Sequence, residues 1–349
     1  MTSDLPRRAM LGWLAGAALA RDVKAQSGWV PDRLDALNEQ LRSNSRIRAF
    51  MMEADGAEPF AYFQPGVAAS SRTPVASVTK SIVSLLAGIA IERGAFSGAD
   101  ESLASIFPEH AKGAQGATLA RVKLGHVMGM TAGFDPGRTT EDSDYFGFVT
   151  RLFAPGLLAH ALSRKLVQAP GAKFRYSDLD AHLVACAIAR RIDGPLKEFA
   201  SAALFGPLGI DGSQWLAGHD GVPNGASDLM LTPAEMMRIG RMMLAGGLWE
   251  GRQVVPAAWV QESTSPKIAL DNNSDGTRRG YGYLWWTSET TPGERRPLFA
   301  AVGFGGQFIA VVPRLQLVVV ALTAQESREA AARTGALIRE YALPTVPRP

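Results

Sequence analysis

Apolar residues recur along the chain with two different periods, and the alternation between them divides it. Near the start, Leu34, Leu37 and Leu41 fall at the spacing that lines one helix face. Residues 46–54 and 60–64 follow with strand character, joined by Asp55-Gly56, a dipeptide suited to the positive φ of a tight turn, and so predict a β-hairpin. Strand character returns only late. Residues 281–287, 307–312 and 315–322 are rich in aromatic and β-branched side chains, with Pro313-Arg314 as a tight turn, and 327–341 has the Ala/Leu/Arg composition of a helix. The two ends of the chain therefore predict one shared antiparallel sheet. Between them, 77–93, 145–163, 179–192, 196–205 and 233–244 carry helical periodicity, separated by breaks at Pro108, Pro136, Pro170-Gly171 and Pro207. The reading is an α+β protein, with residues 26–97 plus 226–349 as the sheet domain and 98–225 as a helical one.

Composition narrows the function classes. With 349 residues, 46% hydrophobic and 20% charged, the chain can bury a large core without metal or disulfide staples. The net charge is +3, but Met1–Ala25 holds four basic and two acidic residues, which leaves +1 for the rest. No Lys/Arg-rich stripe is present, so nucleic acid is not an expected partner. A lone Cys186 cannot form an internal disulfide, and the five histidines show neither HExxH nor finger spacing, so no metal site is expected. Arg7-Arg8 precedes twelve uncharged residues, 9–20, and then Val23-Lys24-Ala25. That run is shorter than the roughly 20 apolar residues that span a bilayer. It predicts a signal peptide over 1–25 read by the twin-arginine route, and a periplasmic protein with no integral membrane segment in the mature chain.

The candidate chemistry begins at Ser77-Val78-Thr79-Lys80, which opens an apolar helix whose core face is Ile82, Leu85, Leu86 and Ile89. Residues i and i+3 share a helix face, so the Lys80 amine can lie beside the Ser77 hydroxyl. A nearby positive helix end and burial both disfavour the ammonium, which makes such a lysine a candidate base. The bland alternative is an N-capping serine followed by a solvated lysine. Tyr176-Ser177-Asp178 lies between the Pro170-Gly171 break and a helix, where a loop can present a phenol. The segment from Val302 to Gln307, Val-Gly-Phe-Gly-Gly-Gln, enters a strand and is small enough for a backbone N–H to approach a substrate oxygen. It fails as a dinucleotide fingerprint, since Phe308 holds the sixth position, and no Gly-x-Ser-x-Gly elbow occurs.

These residues, together with Val122–Phe134, Phe174–Asp178, Leu204–Ile210, Leu231–Val260 and Tyr281–Trp286, resemble the serine β-lactamase-like hydrolases. That group holds class C β-lactamases, D-Ala-D-Ala carboxypeptidases, related esterases and aminohexanoate-oligomer hydrolases. The resemblance covers nearly the whole mature chain and implies a β-lactamase/transpeptidase-like fold: an antiparallel sheet flanked by helices, with a helical insertion. It also implies an acyl-enzyme on Ser77, with Lys80 and Tyr176 sharing the proton and the backbone N–H groups of Ser77 and Gln307 holding the oxyanion. No cofactor is implied, and the partner is a small ester or amide.

Two departures bear on substrate. Phe304-Gly305-Gly306 stands where penicillin-recognising members carry Lys-Thr-Gly or His-x-Gly, so the donor for a substrate carboxylate is missing and antibiotic hydrolysis is not expected. Asp178 replaces an asparagine; a carboxylate only accepts hydrogen bonds and favours a charged Lys80, which points to Tyr176 as the more important base in acylation. Asp178, Tyr145, Trp286, Phe304, Gly305 and Gly306 are the candidate pocket residues, with Tyr145 more simply a helix-start aromatic. Strand alternation allows only one of Trp285 and Trp286 to face the cleft. His126 and Cys186 read as structural, the Met236-Met237 and Met242-Met243 stripe as helix core, and Asp180 and Lys173 as solvated loop charges. Two alternatives stay open: an amidase on aminohexanoate oligomers or D-amino-acid peptides, and a binding protein that kept the fold without turnover.

Overall fold

The computed structural model describes residues 28–136, 145–212, 214–273, 275–294, 297–324, 327 and 329–347. The expected signal peptide over 1–25 lies outside the described residues. An eight-stranded antiparallel sheet unites the chain ends. Its strands are β1 (Ile47–Ala54), β2 (Phe60–Phe63), β3 (Ile268–Leu270), β4 (Arg279–Tyr281), β5 (Trp286–Ser288), β6 (Leu298–Gly303), β7 (Gln307–Val312) and β8 (Leu317–Thr323), in the spatial order β2-β1-β8-β7-β6-β5-β4-β3. The β1–β2 hairpin forms as expected, Met52 facing Phe60, and Gly56 takes the turn at φ 72°. The first long strand and the last lie side by side, Phe50 opposite Ala321 and Met52 opposite Val319.

Period-two alternation sends the two faces of this sheet into two cores. Phe50 and Met52 of β1, with Leu317, Val319 and Ala321 of β8, face Leu34, Leu37 and Leu41 of helix α1 (Pro31–Ser43) and Leu337 of the helix Glu329–Leu337. Ala49 and Met51, with Val318, Val320 and Leu322, face the other way, toward α2 (Val78–Glu92) and α5 (Pro233–Leu244). The methionine stripe of α5 is core as expected, Met236, Met237, Met242 and Met243 being at most 3% exposed. Helix α2 is buried from Val78 through Ala90, which is why its sequence is apolar nearly all round. It packs against α4 (Asp178–Arg191), itself backed by α3 (Leu124–Met128), and against α6 (Ala257–Thr264), whose Trp259 donates its indole N–H to the Ser84 carbonyl at 2.8 Å.

Two expected elements are interrupted. The helix expected over 145–163 is two, Tyr145–Leu152 and Leu157–Ser163, parted at Pro155-Gly156, where Gly156 has φ 83°. Proline removes a helix N–H and glycine takes the left-handed turn, which outweighs the periodicity on either side. The strand expected over 281–287 is split into β4 and β5 by a reversal in which Gly282 N–H bonds the Trp285 carbonyl at 2.8 Å and Leu284 has φ 63°.

Candidate active site

Ser77 lies at the junction between a short extended segment and α2. Thr73-Pro74 pairs with Met230-Leu231, and Val75 N–H bonds the Leu229 carbonyl at 3.0 Å, so the chain reaches α2 already anchored. Ala76 then takes φ 48°, a left-handed conformation unusual for a residue with a Cβ, and turns the chain sharply into the helix. Ser77 is the N-cap residue, yet its side chain caps nothing: no helix N–H donates to it. Its hydroxyl instead accepts from Lys80 Nζ at 2.8 Å. The plain reading of this serine as a helix cap is thereby set aside.

Lys80 is 1% exposed and its ammonium meets three acceptors. They are Ser77 Oγ at 2.8 Å, the Ala226 carbonyl at 2.8 Å and Asp178 Oδ1 at 2.6 Å. An ammonium has three N–H donors, so every one is used. Burial alone pulls the lysine down, but Asp178 and then Tyr176 outweigh it and hold Lys80 above its ordinary value. The amine is therefore charged, the effect expected from an aspartate in this place.

Each partner is fixed by its own element. Ser177 caps α4, its Oγ accepting from Asp180 N–H at 3.0 Å, and this puts Asp178 in the first helical turn, where the helix dipole favours a carboxylate. Asn224 shapes the loop that offers the Ala226 carbonyl: its Oδ1 accepts Ala226 N–H at 2.9 Å, and its Nδ2 donates to Ser227 Oγ at 2.9 Å and Asp228 Oδ2 at 2.6 Å. Nothing near Ser77 in the sequence announces Ala226, a backbone oxygen 146 residues away.

Tyr176 is brought to the same place. The Lys80 Nζ is 5.0 Å from its ring centroid, and the ring stacks on Trp286 at 5.8 Å and 24°. Trp286 in turn meets Tyr281 edge-on at 4.9 Å, and Phe174 meets Tyr281 at 5.1 Å. Met130, at φ 56°, clasps Tyr176 from both flanks: its carbonyl accepts Arg175 N–H at 2.8 Å and its sulfur accepts Ser177 N–H at 3.4 Å. Tyr176 stays 39% exposed, open on the side away from this box. Neither Met130 nor Tyr281 stands out in the sequence as a site residue, since both read as core.

The other candidates separate. Trp286 faces the site while Trp285, 0% exposed, packs on Phe299 at 5.6 Å. One indole of the pair faces the cleft, as alternation requires, although the cause is the reversal between β4 and β5. Phe304 is 45% exposed at the end of β6. Gln307, expected as an oxyanion donor, is 0% exposed; its side chain is bonded to Thr323, and it sits opposite Gly303 in the ladder, so no substrate oxygen reaches it. Gly305 and Gly306 do not line a pocket either. The Gly305 carbonyl accepts from Thr323 Oγ1, and a Cβ on Gly306 would meet Thr334 at 2.4 Å, on the far side of the turn. The residue that reaches the segment leading into Ser77 is Gly303, where a Cβ would lie 2.4 Å from the Val75 carbonyl. The strand end beside Ser77 is thus Ala301-Val302-Gly303, three residues earlier than expected, and it too carries no Lys or His. The side chain of Tyr145 lies outside the described residues. His126 is structural, its Nδ1 accepting Lys123 N–H at 3.1 Å. Asp180 is not a solvated charge but a buried partner of Arg164 at 2.6 Å, whereas Lys173 is exposed.

Against known proteins, residues 53–343 match the family model described as Beta-lactamase. The 6-aminohexanoate-dimer hydrolase of Paenarthrobacter ureafaciens is 24% identical over 347 residues, covering 89% of this chain and 82% of that protein. Among solved structures, a penicillin-binding protein homolog from Caulobacter crescentus superposes with TM-score 0.69 at 16% identity, covering 91% of this chain and all of the other. A family VIII carboxylesterase also gives TM-score 0.69, at 14% identity, covering 89% of this chain and 96% of the other. With the sheet, the helices around it and a family match across most of its length, the chain belongs to the Beta-lactamase family, the serine β-lactamase-related hydrolases.

Proposed function

We propose that the protein hydrolyses a small ester or amide through an acyl-enzyme on Ser77. The observation that carries this is the Ser77 hydroxyl, uncapped and half-buried, held at 2.8 Å by a buried ammonium that also neighbours the Tyr176 ring, 5.0 Å from its centroid. As Ser77 Oγ bonds to the substrate carbonyl carbon, its proton must leave. Lys80, with three protons engaged on three acceptors, has no lone pair to receive it. Tyr176 is the acid–base group beside them, taking the proton on its phenolic oxygen and returning it to the leaving alkoxide or amine. Lys80 stabilises negative charge on both oxygens. Water then attacks the acyl carbon and releases the acid.

For the oxyanion, the Ser77 N–H is one donor, since it makes no hydrogen bond among the described residues. The N–H of Phe304, the first residue beyond β6, is the second donor in place of Gln307. The absence of a cation on β6 argues against substrates that need their carboxylate bound. The relative named as a 6-aminohexanoate-dimer hydrolase favours the amide arm of the reading.

The test is intact-mass measurement after incubation with p-nitrophenyl butyrate, an anilide and a cephalosporin, on wild type and on Ser77→Ala. Acyl adducts from the ester or the anilide that vanish in the folded variant are expected. Absence of any adduct and of turnover assigns the protein to the non-enzymatic class, and rapid stoichiometric acylation by the cephalosporin refutes the argument from the missing cation. We also read Arg7-Arg8 as an export signal. Lysines in both places are expected to hold the protein in the cytoplasm, as cell fractionation would show.

A further inference from the structure

Behind the loop that holds Lys80, three metal-ligating side chains converge that the hydrolytic site does not use. His182 and Cys186 are four residues apart on α4 and so share a face. Asp220 closes over them, its Oδ2 lying 4.0 Å from His182 Nε2 and 4.0 Å from Cys186 Sγ, and the three donor atoms all lie within 4.8 Å of one another. His182 is 1% exposed, and its Nε2 has no hydrogen-bond partner. Its Nδ1 accepts the Gly225 N–H at 3.3 Å, so the ring is neutral, the form that ligates metal. The Asp220 side chain is 37% exposed, so the cluster opens to solvent on that side. Ligand bonds of 2.0–2.3 Å to zinc in a tetrahedron set donor atoms about 3.5 Å apart. The two 4.0 Å pairs thus need to close by about half an ångström, a motion that the exposed aspartate can supply, while the His182–Cys186 pair, within 4.8 Å, must close through a side-chain rotation on α4.

We propose that His182 Nε2, Cys186 Sγ and Asp220 Oδ2 form a site for one thiophilic divalent cation, Zn²⁺ or Cd²⁺, separate from the hydrolytic site. On binding, the Cys186 thiol releases its proton to solvent, three metal–protein bonds form as the six-coordinate aqua ion gives up all but one of its waters to solvent, and no electron moves. The fourth coordination position keeps water on the open side.

The site is coupled to Lys80. Gly225 N–H donates to His182 Nδ1 at 3.3 Å, which places the ring proton on Nε2. A cation on Nε2 displaces that proton, and the neutral ring then carries it on Nδ1. Nδ1 becomes a donor facing another donor, and the Gly225 contact is lost. Gly225 cannot settle elsewhere cheaply, because it is wedged on α4, where even a Cβ would lie 2.7 Å from the Ala181 carbonyl. The next residue is Ala226, whose carbonyl holds Lys80. Cation binding therefore loosens the ammonium and lowers turnover. This second statement rests on the proposed Ser77 chemistry; the binding site does not.

The experiment titrates Cd²⁺ alone into the full chain and follows the ultraviolet thiolate-to-cadmium charge-transfer band, with p-nitrophenyl butyrate hydrolysis measured in parallel. As Cys186 is the only cysteine, the band reports this position. A band saturating at one equivalent is expected, with affinity lowered at least about tenfold in His182→Gln and in the surface variant Asp220→Asn. No band, or equal affinity in Asp220→Asn, overturns the site. Turnover is expected to fall severalfold with Cd²⁺ in wild type and to be indifferent to it in Cys186→Ser. Equal inhibition of both, or a saturated band with unchanged turnover, overturns the coupling. If wild type hydrolyses nothing, the Ser77 reading has failed and the band still decides the site.

Discussion

Three acceptors around one buried ammonium make Asp178, the one that carries charge, the most consequential single residue near Ser77. Asp178→Asn keeps the shape and removes the charge. Burial then acts on Lys80 with only Tyr176 opposing it, so the ammonium is lost at lower pH. The alkaline limb of kcat/KM is expected to move down by at least about one pH unit, with activity at pH 7 down about tenfold or more. An unmoved limb would show that Asp178 does not hold the amine. Stability follows the same sign. A lysine raised in the folded state stabilises the fold below its unfolded value of 10.5, and that contribution is lost as pH rises through the raised folded value. Urea unfolding of wild type is therefore expected to weaken at strongly alkaline pH, and more weakly so in Asp178→Asn.

Elements carry the next set of consequences, and glycine marks two of them. On β6, Gly303→Ala sets a Cβ 2.4 Å from the Val75 carbonyl, two residues before Ser77. The backbone must shift, misplacing Ser77, and a fall in kcat on the order of 10² with retained circular dichroism is expected. On α2, Gly88→Ala drives a Cβ to 2.1 Å from the Trp259 indole, which is tied to Ser84 by its N–H and stacked on Tyr283 at 5.6 Å. Overpacking against a ring held this way is expected to cost about 2–3 kcal/mol, read as a lower midpoint in urea.

The elements were legible where the signal was local. The Asp55-Gly56 hairpin, the apolar α2 and the i, i+3 pairing of Ser77 with Lys80 all depend on neighbours within a few residues. The misreadings share the opposite cause. Gln307 reads as a donor because it follows two glycines, and only the ladder shows it opposite Gly303 and turned to Thr323. Ala226 and Met130 serve the site through main-chain carbonyls, which no residue type advertises. The pair of tryptophans came out with the expected one facing the cleft, but a reversal at Leu284 and not an unbroken strand is responsible.

For the whole molecule, the decisive feature is that β8 lies between β1 and β7. Its residues enter both cores, Val318, Val320 and Leu322 on one face and Leu317, Val319 and Ala321 on the other. A chain ending at Val312 therefore loses a central strand, not an edge, and is expected to show no cooperative melting transition, whereas removal of the last few residues beyond Thr345 leaves the sheet intact. Protein synthesis proceeds from the N-terminus, so β1, paired early with β2 on one side, emerges from the ribosome roughly 260 residues before β8, its partner on the other. At about 5–20 residues per second it waits on the order of 10–50 seconds as an open edge. Throughput in the cell is then governed by whatever shields that edge during translation, and overexpression without added chaperone capacity should send the nascent chain into inclusion bodies by strand-to-strand association.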